Sequence, residues 1–241
     1  MSFLEMKSEE QDISVFCFSF LQSQENNPVV KEYPVFPICK LVPVKNQSIC
    51  FNETIAEHIE KYFIAGHSMG GYIGLAFADY YVNHVIGLAL VHSNTFEDSA
   101  AKKEVRLKVA EFIQEQGTRK FLETSTQNLF GNNFKKVHPD KIQDVIDSVS
   151  DISPEAMIQF VMAMRNRDSH EHMLREQHIP IGMIVGEEDI AVSIEDSLLQ
   201  TQLLPAKNVI ILKQVGHMGM LEATEQVNNA LLGFIQEATH K

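Results

Sequence analysis

From residue 61 onward the apolar positions fall into two alternating rhythms. Uninterrupted short runs, Tyr62-Phe63-Ile64-Ala65 and Val85-Ile86-Gly87-Leu88-Ala89-Leu90-Val91, read as strands buried on both faces. Longer stretches carry helical spacing: Gly70 to Tyr81 (Ile73, Phe77, Tyr80/Tyr81) and Leu221 to Ala238 (Val227, Leu231/Leu232, Phe234/Ile235). Ile179 to Val185 and Val209 to Leu212 continue the strand series, with a helix predicted over Ile194 to Leu204. Strands alternating with helices predict an α/β fold, a mostly parallel sheet flanked by helices and joined by right-handed crossovers.

One block breaks the alternation. Glu97 to Gln177 has no strand pattern and divides into helices over Ala101–Gln116, Arg119–Leu129, Pro139–Val149, Pro154–Arg165 and Ser169–Gln177. Gly117, Gly131-Asn132-Asn133 and Ser153-Pro154 punctuate it, the last as an N-cap serine with proline at the first helical position. About 80 residues are too many for a connection. The block reads as a helical cap, 97–177, inserted into a core formed by 1–96 and 178–241.

The first 60 residues follow a weaker pattern. Val15–Phe20 and Tyr33–Val44 are strand candidates, the second broken by Pro34, Pro37 and Pro43, and Thr54–Lys61 is a short helix candidate. All 12 glycines lie at or after Gly66, while four of the 8 prolines crowd between Pro28 and Pro43. This opening segment therefore reads as irregular or shortened.

Composition narrows the classes. At 241 residues, 44% hydrophobic and 22% charged, the chain is an ordinary globular sequence able to bury one large core. A net charge of −12 repels phosphate backbones and anionic lipid, which argues against nucleic acid as a partner. No run approaches the roughly 18–20 apolar residues of a membrane span. The early apolar run Ile13–Leu21 follows Ser8-Glu9-Glu10-Gln11-Asp12, where an export signal would carry basic residues. Three cysteines, Cys17, Cys39 and Cys50, without metal-ligand spacing indicate a reduced, cytoplasmic protein.

The candidate chemistry lies at the ends of the strands. Gly66-His67-Ser68-Met69-Gly70 is a G-x-S-x-G segment between an apolar strand and a helix. A serine at such a sharp turn exposes its Oγ, and the turn closes only around very small flanking residues. The Met69 amide, at the helix start, would point where an oxyanion forms. A serine needs a base, and the base an orienting acid. Gly186-Glu187-Glu188-Asp189 follows one later strand, and Val215-Gly216-His217-Met218-Gly219 follows the next. Asp189 is the candidate acid, with Glu187 and Glu188 as neighbouring alternatives, and His217 is the candidate base.

His67 reads as a packing residue with its side chain turned from the nucleophile. His170 and His172 read as a divergent pair on a solvated helix face rather than as metal ligands. Met157, Phe160, Val161 and Met164 form a helical stripe that is either cap core or an apolar acyl-pocket wall, for which Met157, Phe160 and Met164, with Met218, are the candidate substrate-binding residues.

Gly-His-Ser-Met-Gly-Gly, Gly-Glu-Glu-Asp and Val-Gly-His-Met-Gly, in this order, resemble the three signature segments of the α/β-hydrolase superfamily. The similarity runs from about Glu60 to Lys241 and is nearest to the small serine esterases, lipases and enol-lactonases with a helical cap. It implies a hydrolase of small or medium acyl esters, thioesters or lactones that acylates Ser68, with no cofactor or metal. A lyase or acyl-transfer relative, or a pseudo-hydrolase, is the alternative. The family's early His-Gly loop, which supplies a second oxyanion donor, has no counterpart before Gly66. Losing one such donor costs about 10²–10³ in rate, so weak activity is the expectation.

Overall fold

The five-stranded central sheet is entirely parallel, in the order β1 (Ile13–Phe18), β4 (Lys61–His67), β5 (Val85–Val91), β6 (Ile181–Gly186), β7 (Val209–Leu212). The structure is a computed structural model that describes residues 61–239 and, before them, the backbone of β1, β2 (Val42–Val44) and β3 (Gln47–Ile49). β2 and β3 form a separate antiparallel pair. Of the early expectations, the first strand is described two residues earlier than predicted. Only Val42–Val44 of the second candidate is described; the helix candidate Thr54–Lys61 lies outside the described residues except for Lys61, which begins β4, and the loop after β1 lies outside them as well.

The uninterrupted apolar runs make sense because both faces of the sheet are covered. Successive side chains of a strand point to opposite faces. Tyr62 and Ile64 pack into a cluster with Leu75, Leu88, Leu90 and Met183, whereas Phe63 and Ala65 join Ala89, Ile184, Val227 and Phe234 on the other side. The first cluster is closed by α1 (Met69–Tyr80) and by Met173 and Leu174; the second is closed by α9 (Thr224–Thr239). Gly182 lets α9 approach, since a Cβ there would stand 2.5 Å from the Phe234 ring.

Between β5 and β6 the chain forms the predicted helical cap: α2 (Ala100–Ser125), α3 (Asn132–Val137), α4 (Pro139–Val149), α5 (Pro154–Arg165) and α6 (Glu171–Glu176). It has its own apolar cluster, including Ile113, Phe130, Ile146, Met157 and Val161. Gly117, at φ 83°, breaks α2 where the sequence divides two helices. Ser153 caps α5, accepting the Ala156 N–H at 3.2 Å above Pro154. The helix α3 departs from expectation, since Gly131-Asn132-Asn133 reads as a turn. Its first N–H, from Asn132, is satisfied from the core by the Glu188 carboxylate at 2.6 Å, a partner no local pattern reveals. In the chain, α7 (Ile194–Thr201) precedes β7 and α8 (Gly219–Glu222) follows it.

The two chain crossings between core and cap meet at one carboxylate. Asp98, buried beyond β5, accepts Arg106 Nε at 2.9 Å on Oδ2 and Arg167 Nη1 at 2.7 Å on Oδ1. Arg167 also donates to the Phe96 and Met164 carbonyls, and its guanidinium lies 4.0 Å over the Tyr72 ring on α1. Burial works to raise the Asp98 carboxyl, but the two guanidinium groups outweigh it and hold the group below its ordinary value. Asp98→Asn, which leaves both cations unpaired, is expected to lower stability by about 3 kcal/mol, read as a fall in the denaturation midpoint.

Candidate active site

At the C-terminal edge of the sheet β4 stops at His67 and α1 starts at Met69, with Ser68 alone between them at φ 53°, ψ −118°. A side-chain-bearing residue rarely holds a positive φ, and doing so costs about 1–3 kcal/mol. The surroundings impose it. A Cβ on Gly66 would stand 2.5 Å from the Gly70 carbonyl oxygen and the Gly71 nitrogen, so only glycine lets strand and helix come this close. The Ser68 N–H donates to the Val91 carbonyl at 3.0 Å, and Ser93 Oγ donates to the Ser68 carbonyl at 2.8 Å. β5 thus braces the elbow from the side. The Met69 amide is among the first N–H groups of α1, which have no acceptor within the helix.

Two loops from the neighbouring strands meet beside it. Asp189 follows β6 and is buried; its Oδ1 accepts the N–H groups of Ala191 (2.9 Å) and Val192 (3.0 Å). Its Oδ2 accepts His217 Nδ1–H at 2.8 Å. Burial alone would raise this carboxyl, but the facing histidines and the Val192 amide overcome that and hold it well below the ordinary carboxylate range. The neighbouring acids are occupied elsewhere: Glu187 accepts the Gln214 N–H and Glu188 the Asn132 N–H. Of the three acids after β6, Asp189 is therefore the one paired with His217.

The loop after β7 that carries His217 is tied to both core and cap. His67, read from sequence as mere packing, is buried and donates Nε2–H to the His217 carbonyl at 2.8 Å, so the residue before Ser68 holds the backbone of His217. From the cap side, the His217 N–H donates to the Leu129 carbonyl at 2.6 Å. Glu222 of α8 accepts the N–H groups of Gly131, Gly216 and Met218. The two backbones touch, since a Cβ on Gly216 would stand 2.6 Å from the Gly131 nitrogen.

Met157 and Met218 are buried inside the cap cluster, with Phe160 and Met164 partly buried against it. His170 and His172 do not diverge. His170 precedes α6 at φ −116°, ψ 30°, outside helical geometry, and both rings turn to Asp79 of α1, at 3.8 and 3.0 Å.

Sequence reasoning missed His92 and Glu222. His92 directly follows β5 on the same sheet edge as Ser68 and Asp189, where parallel sheets gather their functional groups, and that position was the available signal. Its Nδ1 lies 3.4 Å from Asp189 Oδ2. The ligating atoms of His92, Asp189 and His217 fall within 4.8 Å of one another. The 2.8 Å separation of His217 Nδ1 and Asp189 Oδ2 suits a shared proton; an ion about 2.0–2.2 Å from each ligand would hold them further apart.

A parallel sheet with strand-end serine, acid and histidine loops and a helical cap defines the α/β-hydrolase fold. The chain belongs to the hydrolase family described as serine aminopeptidase, S33, whose model matches residues 45–224. It superposes with a TM-score of 0.78 on a thermophilic esterase from Thermogutta terrifontis, at 19% identity over 99% of this chain and 92% of that one. It superposes at 0.67 on the enol-lactonase from Burkholderia xenovorans, at 17% identity, covering 76% of this chain and 68% of that chain. By sequence it is 26% identical over 190 residues to the dihydrolipoyllysine-residue acetyltransferase component of the acetoin cleaving system of Pseudomonas putida. That match covers 74% of this chain, which spans just under half (46%) of that relative.

The buried histidines make stability depend on pH. Burial, reinforced by neighbouring rings, pushes His67 well below its ordinary value and His92 below it. Unfolded imidazoles bind protons near pH 6.5, so the unfolded state takes up more protons as pH falls below that point, and stability falls with it. The melting temperature is expected to drop between about pH 6.5 and 5. His67→Gln, which keeps a donor for the His217 carbonyl but cannot titrate, should show a shallower drop.

Proposed function

We propose that the protein is a cytoplasmic serine hydrolase that cleaves a small or medium acyl ester, thioester or lactone through an acyl-enzyme on Ser68. The observation that carries this reading is the strained backbone of Ser68, held at a strand-to-helix turn whose preceding residue is hydrogen-bonded to the loop of the His217–Asp189 pair. Strain of this kind persists where a side chain must be presented in one direction. The esterase and lactonase among the structures of the same fold are in keeping with the proposed bond type. The odd count of three cysteines in the sequence is in keeping with a reducing location.

In this reading Ser68 Oγ attacks the acyl carbonyl while its proton passes to His217 Nε2. Asp189 accepts the hydrogen bond from Nδ1 and stabilises the imidazolium that forms. The Met69 amide donates to the oxyanion of the tetrahedral intermediate. Collapse expels the alcohol, thiol or lactone oxygen, which takes the proton from Nε2, and leaves Ser68 acylated. Water then gives its proton to His217, attacks the acyl carbon, and the released Ser68 regains the proton. No cofactor or metal takes part in this sequence. Met157, Phe160, Met164 and Met218, on the cap and at its joint with the base loop, are the proposed apolar surroundings of the acyl chain.

A fluorophosphonate probe is expected to label the wild type and not Ser68→Ala. Soluble, folded protein without Ser68-dependent labelling overturns the proposal. Labelling without turnover of p-nitrophenyl acyl esters favours acyl-transfer or lyase chemistry at the same site instead. Asp189→Asn should lower kcat about 10³–10⁴-fold, whereas Glu187→Gln and Glu188→Gln leave it near the wild-type value.

A further inference from the structure

We infer that His92 is a positioning residue for the base: fixed opposite His217 on the same carboxylate oxygen of Asp189, it shares that oxygen's charge and so limits how strongly the His217 imidazolium is stabilised. The inference rests on the roles given above to Asp189 and His217.

The placement is specific. The His92 side chain is fully buried, and its Nδ1 faces Asp189 Oδ2 at 3.4 Å, slightly beyond a formed hydrogen bond. Among the described residues neither ring nitrogen has a hydrogen-bond partner, so Oδ2 is the acceptor within reach. Two glycines lie close against the ring. A Cβ on Gly219 would overlap His92 Nε2, and one on Gly186 would stand 3.0 Å from Cε1. The backbone is pinned as well, with φ 48° and the His92 N–H donating to the Ile184 carbonyl at 2.8 Å.

The groups around the ring come from every neighbouring element: His67 from β4 at 6.0 Å between centroids, His217 from the base loop at 5.9 Å, Asp189 from the acid loop and Glu222 from α8. In this buried setting the ring stays neutral and carries one N–H. With that proton on Nδ1, the His92 N–H is directed at the oxygen that accepts from His217. Each donor weakens the oxygen as an acceptor for the other, so removing His92 strengthens the hold of Asp189 on a protonated His217. The base would then keep its proton to higher pH.

The test compares His92→Ala, which removes the donor, with His92→Asn, whose Nδ2 stands about where the imidazole Nδ1 stands. Asparagine also tolerates the left-handed backbone. The pH at which kcat/KM is half lost on its acid side is expected to rise by about half to one unit in His92→Ala and to stay at the wild-type position in His92→Asn. Should the alanine variant not fold, His92→Gly keeps the positive φ and makes the same comparison. The titration of the His217 ring, followed by proton NMR, reads the same coupling without turnover. A failed hydrolase reading would therefore show as missing Ser68 labelling beside an intact ring shift. A folded donorless variant with the wild-type ring titration, or a His92→Asn shift as large as that of alanine, overturns the inference.

Discussion

A carboxylate taken out of water must be given hydrogen-bond donors, and the architecture of this protein's site follows from how Asp189 acquires them. One oxygen is held by the Ala191 and Val192 amides, which curls the chain after β6 into a fixed loop. The other receives His217 and faces His92, which draws together the ends of β5 and β7. The loop is also held from the cap, where Lys102 at the start of α2 donates Nζ–H to the Ala191 carbonyl at 2.8 Å. Asp189, His217 and the cap are therefore parts of one hydrogen-bonded assembly around a buried anion. An anion so supplied stays ionised, as the depressed carboxyl of Asp189 requires.

The cap is joined to the core in two physically different ways. At its root, Asp98 collects Arg106 and Arg167, a charged clamp that fixes where the cap leaves and rejoins the sheet. At its far side, the turn around Leu129–Gly131 lies backbone to backbone against Gly216 and His217, with Glu222 accepting the Gly131 amide across the joint and those of Gly216 and Met218 on its own side. Met218, next to the base, is part of the cap's own apolar cluster. A shift of the cap would be felt at His217 through these contacts, whatever enters the space between them.

Much of the fold was legible because buried parallel strands and amphipathic helices leave strong periodic signals. Val85–Val91 and Val209–Leu212 run as predicted, and Gly117 breaks a helix where the spacing breaks. Ser68, Asp189 and His217 stood out because each follows a strand and carries a glycine-bearing turn. The misses share one cause. α3 depends on a carboxylate 56 residues away, and His170 and His172 turn to an aspartate on another helix. His67 serves a carbonyl 150 residues away. None of these partners is visible within a local window.

By itself the sequence determined the order of strands and helices, the site of the cap insertion and the identity of the serine, acid and histidine segments. These are written in hydrophobic period and in glycines that only a tight turn requires. Tertiary structure decided which of three adjacent acids pairs with His217, and that a second and a third histidine crowd the same spot. It also decided that the cap grips the base loop through backbone amides. Those outcomes rest on directional hydrogen bonds between segments far apart in the chain, and only the folded sheet brings their donors and acceptors within reach.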